Sequence, residues 1–103
     1  MSLAVQFLSG ADADLQEIFN RFEDYRVGFG AEFIIVIDAY LARIAVFPEI
    51  APLYFENVRR QVMQRFPYGI FYEPQPRRIL VTAILDLRQD QQRIMRRLGR
   101  EDT

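Results

Sequence analysis

The sequence holds 103 residues, half of them hydrophobic and 26% charged, which is enough for one domain with a packed core and too little for two. It contains no cysteine and no histidine, and all 13 of its basic residues are arginine, so lysine is absent as well. This composition excludes disulfides, thiolate and imidazole metal sites, histidine-based nucleophilic triads, Schiff-base chemistry and lysine-dependent phosphate loops.

Residues 3–8, Leu3-Ala4-Val5-Gln6-Phe7-Leu8, read as a short strand. Ser9 opens a helix, with Asp12 three positions on and Asp14 in the first turn, where both carboxylates suit the positive end of the helix dipole. Leu15, Ile18, Phe19 and Phe22 then fall on one stripe. Val27-Gly28-Phe29-Gly30 ends this helix and starts a second, whose apolar face is Phe33, Ile34, Ile37, Leu41 and Ile44, stopped by Pro48. Two amphipathic helices with so short a link form an αα-hairpin. The glycines belong to that turn; no strand precedes them, as a phosphate loop requires.

From Pro52 the texture changes to Tyr, Phe, Val and Ile divided by turn formers. Strands are predicted near 58–64, 68–73 and 78–86, joined by Arg65-Phe66-Pro67 and Pro74-Gln75-Pro76. The run Ile79–Leu85 is apolar on both faces and predicts an interior strand. Tyr68, Ile70 and Tyr72 face one way, and Gly69, Phe71 and Glu73 the other. Alternate burial explains the aromatic tract 66–72 without invoking base stacking. A closing helix takes Asp90 as N-cap and Ile94 and Leu98 as contacts, with Gly99 just past its end. The fold class is α+β, an antiparallel sheet packed on an N-terminal helical hairpin in the order β-α-α-β-β-β-α. Repeats, low-complexity tracts and linkers are absent.

No apolar run approaches the ~20 residues that cross a bilayer, and the longest, Phe33 to Ile37, meets Asp38 at once. The first residues lack a basic segment followed by an apolar stretch, so no secretory signal and no membrane partner are expected, and the expected compartment is the cytoplasm. The net charge of −1 conceals a polarity: residues 1–52 carry three arginines against eight acids, and residues 53–103 ten arginines against six. An anionic partner for the second half explains this asymmetry, and so does pairing between the two halves of one folded surface.

Several local motifs are specific: Asp14-Leu15-Gln16-Glu17-Ile18, Ala42-Arg43-Ile44-Ala45-Val46-Phe47-Pro48, Val58-Arg59-Arg60, Phe66-Pro67-Tyr68-Gly69-Ile70-Phe71-Tyr72, and Leu85-Asp86-Leu87-Arg88-Gln89-Asp90. In this order they resemble the RelE/ParE superfamily of toxins from type II toxin–antitoxin systems, over roughly residues 4–98. The most telling part is the tract from Val58 to Tyr72 with the apolar strand and the Leu87–Asp90 turn behind it. The resemblance implies one toxin-like domain over 1–103, bound and silenced by a cognate antitoxin in a hetero-oligomer.

The superfamily has two activities: RelE-like members cleave messenger RNA on the ribosome, and ParE-like, plasmid-stabilising members poison DNA gyrase. Cleavage needs a base or polarising group for a ribose 2′-oxygen and cations around a phosphate. In RelE-like members these include lysines on the strand matching about 55–60 and an arginine three residues before the strand tyrosine. Here that arginine's place is Gly69, three before Tyr72, and there is no lysine. The aromatic or histidine of the last helix aligns near Ile94, and Arg88 alone is kept. Arginine neutralises phosphates well but donates protons poorly near neutrality. The resemblance therefore points to the ParE-like branch, with no catalytic residues, no metal and no cofactor. The target-binding set is Arg60, Arg65 and Arg88, followed by Arg59 and Arg93. The ribosome-dependent ribonuclease and a non-toxic antitoxin-binding member are the alternatives. Arg59 and Arg60, adjacent on a strand, face opposite sides, so only one can join a given patch.

Overall fold

The computed structural model describes residues 2–100, Arg100 by its backbone; Glu101 and Asp102, counted above, lie outside the described residues. The elements are β1 (Ala4–Phe7), α1 (Ser9–Tyr25), α2 (Phe29–Val46), β2 (Leu53–Phe55), β3 (Val58–Val62), β4 (Tyr68–Pro74), β5 (Arg78–Asp86) and α3 (Gln91–Arg100). They form one five-stranded sheet in the order β1-β5-β4-β3-β2.

The hairpin forms as its periodicity requires, and its turn has two local devices. Gly28 sits at φ 89°, a left-handed conformation that glycine adopts without strain. The Glu23 carboxylate then accepts from the backbone N–H groups of Gly28 at 3.0 and 3.1 Å and of Gly30 at 2.9 Å. A side chain from the end of α1 thus supplies acceptors at the start of α2, where donors are otherwise left over. Gly30 is needed for closeness: a Cβ there would lie 2.8 Å from both the Phe19 ring and the Phe19 carbonyl oxygen.

One sheet face packs on this hairpin. Phe33, Ile37, Ile44, Ile70, Tyr72, Ile79, Val81 and Ile84 are buried in its core, each full burial contributing on the order of 2 kcal/mol. Phe22 gathers the aromatic residues, with ring centroids 4.9 Å from Phe29, 5.3 Å from Phe33, 5.5 Å from Phe66 and 6.1 Å from Tyr68. The β3–β4 turn is thereby pinned beneath the hairpin. The opposite face is covered in part by α3, whose Ile94 and Leu98 pack on Val58, Phe71, Ala83 and Leu85. Asp90 caps α3 as expected, its carboxylate accepting from the Gln92 N–H at 3.0 Å.

Three details differ from expectation. The sheet is mixed: β1 runs parallel to β5, because the hairpin and three strands make a crossover long enough for a parallel return. An additional short strand, β2, precedes the predicted ones and pairs antiparallel with β3. α1 opens at Ser9 as the sequence indicates, with Leu8 as the N-cap residue and no side-chain hydrogen bond there. Gly99 lies inside α3, which continues past its buried Leu98 contact.

Candidate functional site

The structure separates the adjacent arginines of β3. Arg59 pairs with Tyr72 in the ladder, on the hairpin side, and its guanidinium donates to the carbonyl oxygens of Ala51 at 2.7 Å and Glu49 at 3.3 Å. It holds the loop after α2 through Nη1. Arg60 pairs with Phe71 and points to the α3 side. Its guanidinium carbon stands 4.7 Å from the Tyr54 ring centroid, a cation–π contact supplied by β2. Its Nε is buried with no partner among the described residues, a state that costs free energy until an acceptor arrives. Gly69 makes the room: a Cβ there would meet Leu87 at 2.9 Å and Arg60 Cγ at 3.4 Å.

That glycine lets the Arg60 stem and the Leu87 side chain close over the strand. Arg88 leaves the end of β5 and turns back on Asp86, donating from Nε at 3.0 Å, from Nη2 at 2.7 Å and from its backbone N–H at 2.8 Å. The Arg88 side-chain hydrogen bonds, then its backbone N–H and its charge, hold the Asp86 carboxyl below the usual carboxylate range; partial burial opposes them and Arg21 assists. The Arg88 guanidinium is raised by the same partner. Asp86 is therefore an ionised acceptor committed to Arg88, a poor base. Tyr68 lies opposite Asp86 in the ladder, and its hydroxyl accepts from Arg21 Nη1 at 2.9 Å. Arg21, Tyr68, Asp86 and Arg88 thus make one polar corner. Sequence reasoning missed Arg21 because it lies in the acidic half, paired at i, i+4 with Glu17, and missed Tyr68 because its burial pattern reads as core.

The other arginines are dispersed. Arg65 is exposed in the β3–β4 turn and Arg93 is exposed on the first turn of α3. Arg97 is taken up internally: Nη1 and Nη2 reach the two Asp14 oxygens at 2.9 and 2.7 Å. This pair joins the acidic and basic halves, so part of the charge asymmetry serves folding. The structure places Arg60 on the α3 side of the sheet beside Tyr54, Arg88 on Asp86 at the end of β5 and Arg59 on the hairpin side, and leaves Arg65 and Arg93 apart.

Tyr72, the reference point of the strand motif, and Ile94, the position of the last-helix aromatic or histidine, are both closed. Tyr72 is fully buried; its hydroxyl donates to the Pro48 carbonyl oxygen at 2.9 Å and accepts from the Ala51 N–H at 3.4 Å. Burial pushes this phenol above its ordinary value, against the pull of the Ala51 N–H and the Arg59 charge. Ile94 is likewise buried, against the sheet. A β-bulge between Phe71 and Tyr72 doubles the opposing strand at Thr82, whose hydroxyl donates to the Phe71 carbonyl oxygen at 3.1 Å.

No family model matches the chain and no curated protein matches it. Among solved structures it is similar to a chain described as "Chromosomal ParDE TA system from P. aeruginosa", at 17% identity and a TM-score of 0.72, over 84% of this chain and 97% of that one. A likeness at that identity speaks to backbone architecture, and here it agrees with the order of elements and the hairpin-on-sheet packing. The chain has the fold of that ParDE-system chain.

Proposed function

We propose that this chain is the toxin of a type II toxin–antitoxin module, neutralised by a cognate antitoxin, and that it works by gripping DNA gyrase. The observation that carries the toxin reading is the structural likeness spanning 97% of a chain from a ParDE toxin–antitoxin system. With it go the specific tract from Val58 to Tyr72 and the Leu87–Asp90 turn. Among the described residues no helix is long and apolar enough to cross a membrane, which is consistent with a cytoplasmic target.

Binding in preference to RNA cleavage is supported by the chemistry of the polar groups. Cleavage requires an acid or base that reaches the 2′-oxygen or the leaving oxygen. Tyr72 is buried and bonded at both ends of its hydroxyl. Asp86 is held ionised by Arg88, and Asp90 caps α3. What remains is cationic: Arg60 with its unpartnered Nε on the α3 side, and the exposed Arg88 at the end of β5. Such groups attract and orient an anionic surface without turning it over. Arg60, Arg65 and Arg88 are the proposed target-binding residues, followed by Arg93, exposed on the first turn of α3.

Inducible expression tests the toxin reading. Induction is expected to arrest growth, and co-expression of the small gene adjoining this one is expected to restore it. Unimpeded growth at high expression of folded chain contradicts the proposal.

A further inference from the structure

α3 covers only part of the sheet face on which it packs. Ile94 and Leu98 rest on Val58, Phe71, Ala83 and Leu85. Past the bulge, Glu73 of β4 and Leu80 of β5 stand opposite each other in the ladder, and both line a cavity of about 390 Å³. That volume falls within the roughly 300–1,000 Å³ typical of small-ligand sites. Leu8, Phe55 and Leu80 give it half-buried apolar surface, and Leu98 lines it from α3. Covering those half-buried groups is favourable.

The charge of the lining is one-sided. Glu56 from the β2–β3 turn and Glu73 from β4 contribute carboxylates, and no arginine lines the cavity among the described residues. Glu73 accepts from Gln75 Nε2 through Oε2 at 3.3 Å, which leaves Oε1 open. Gln75 Oε1 in turn takes Arg78 Nε, and Gln6 Oε1 takes Arg78 Nη1. That guanidinium is held by two neutral amides, and neither Glu73 nor Glu56 forms an ion pair among the described residues. Two carboxylates are too few for a calcium cage, and no group of three metal-ligating side chains occurs among the described residues. The lining suits an organic cation.

We propose that this cavity binds an aliphatic polyamine, whose methylenes cover Leu8, Phe55 and Leu80 and whose ammonium groups are met by Glu56 and Glu73. Two carboxylates on separate elements, sharing one apolar lining, match several cations joined by hydrocarbon. A monoamine uses only one of them, a diol neither, and a dicarboxylate is repelled by both. Each ammonium brings three donors. The open Glu73 Oε1, the Glu56 carboxylate and the Asn57 amide oxygen are the acceptors for them. The Phe55 ring adds cation–π attraction. None of the proposed target-binding arginines lines this cavity, so the inference goes beyond the toxin reading and stands apart from it.

The test titrates spermidine into the isotope-labelled full chain at fixed ionic strength and follows backbone amide shifts by NMR. Saturable shifts are expected at Val58, Leu80, Thr82 and Leu98, with n-butylamine binding at least tenfold more weakly and 1,4-butanediol not at all. Glu56→Gln and Glu73→Gln are each expected to weaken spermidine about tenfold, and the double variant to abolish saturation. Asp24→Asn, which removes an exposed carboxylate on α1, is expected to leave the affinity unchanged. Shifts confined to the acidic surface of α1, equal affinity for butylamine, or wild-type affinity in both glutamine variants overturns the proposal. So does an equal loss in Asp24→Asn, because it means diffuse attraction to surface charge. Displacement of spermidine by an equal concentration of magnesium also overturns it, in favour of a metal site. Failure here leaves the toxin reading standing, since growth arrest is measured separately and draws on other residues.

Discussion

Arg97, near the end of α3, holds both oxygens of Asp14 in the first turns of α1, at 2.9 and 2.7 Å, across 83 positions of sequence. Asp14 Oδ2 also accepts from the Ile84 N–H at 3.0 Å, so one carboxylate ties both helices to an interior strand. The side chains are 28% and 16% exposed, which places the pair beyond the reach of most solvent screening. Asp14→Ala therefore leaves a partly buried guanidinium and a backbone N–H without their acceptor. We expect a loss of about 2–3 kcal/mol, or roughly 10 °C in Tm for a chain of this size. Arg97→Met should cost less, because Asp14 keeps the Ile84 N–H. Thermal unfolding of the two variants and their double mutant checks both statements.

Gly30→Ala tests how closely the two helices approach. The new methyl group would lie 2.8 Å from the Phe19 carbonyl oxygen, which belongs to backbone and cannot swing aside. A cost of about 1–3 kcal/mol is expected from this overpacking. Denaturant unfolding measures it, and a neutral effect means that the helices separate more easily than the packing indicates.

Asp86 gives a pH signature. Its carboxyl titrates below the usual value in the folded chain, chiefly through the Arg88 hydrogen bonds. The associated stability is therefore present above the unfolded carboxylate pKa and is lost as pH falls through the lower folded value. Because Arg88 is 72% exposed, the contribution is small. The stability difference between wild type and Asp86→Asn should shrink on acidification below about pH 4. A difference that is constant from neutral to acid pH contradicts this assignment.

Tyr72→Phe separates structure from chemistry. The hydroxyl bridges the Pro48 carbonyl and the Ala51 N–H, and its loss should cost on the order of 1 kcal/mol in stability. Growth inhibition should persist at temperatures where the variant is folded. Abolished inhibition in a well-folded Tyr72→Phe chain points instead to a catalytic phenol.

Much of this architecture is legible in the sequence, and the exceptions have physical causes. The hairpin follows from the Leu15–Phe22 and Phe33–Ile44 stripes, and the facing of Tyr68, Ile70 and Tyr72 from alternation. Strand direction is invisible to alternation, so the parallel pairing of β1 with β5 emerges only in three dimensions. β2 spans three residues and ends before Glu56 at a positive φ of 51°, too short to leave a pattern. Asp14 reads locally as a dipole partner, because nothing in the sequence marks its bond to a residue 83 positions away. The arginine set is legible as composition; which arginines stay available depends on who holds them. Arg59 and Arg97 are engaged internally, while Arg60 keeps an unpartnered Nε.

Arg60→Ala and Arg88→Ala should each weaken growth inhibition while leaving the chain folded. The loss of the Arg60–Tyr54 contact accounts for a stability change of about 0.5–1 kcal/mol. Circular dichroism with a growth assay distinguishes weakened gripping from unfolding, and full inhibition by both variants removes them from the target-binding set.

The most direct measurement is a supercoiling assay with purified DNA gyrase and the chain freed of its antitoxin. The proposed binding mode predicts lost supercoiling and accumulation of cleaved DNA held in the enzyme, both diminished by Arg60→Ala. Gyrase that works unimpeded, alongside messenger RNA cut in translating ribosomes by the same preparation, contradicts it.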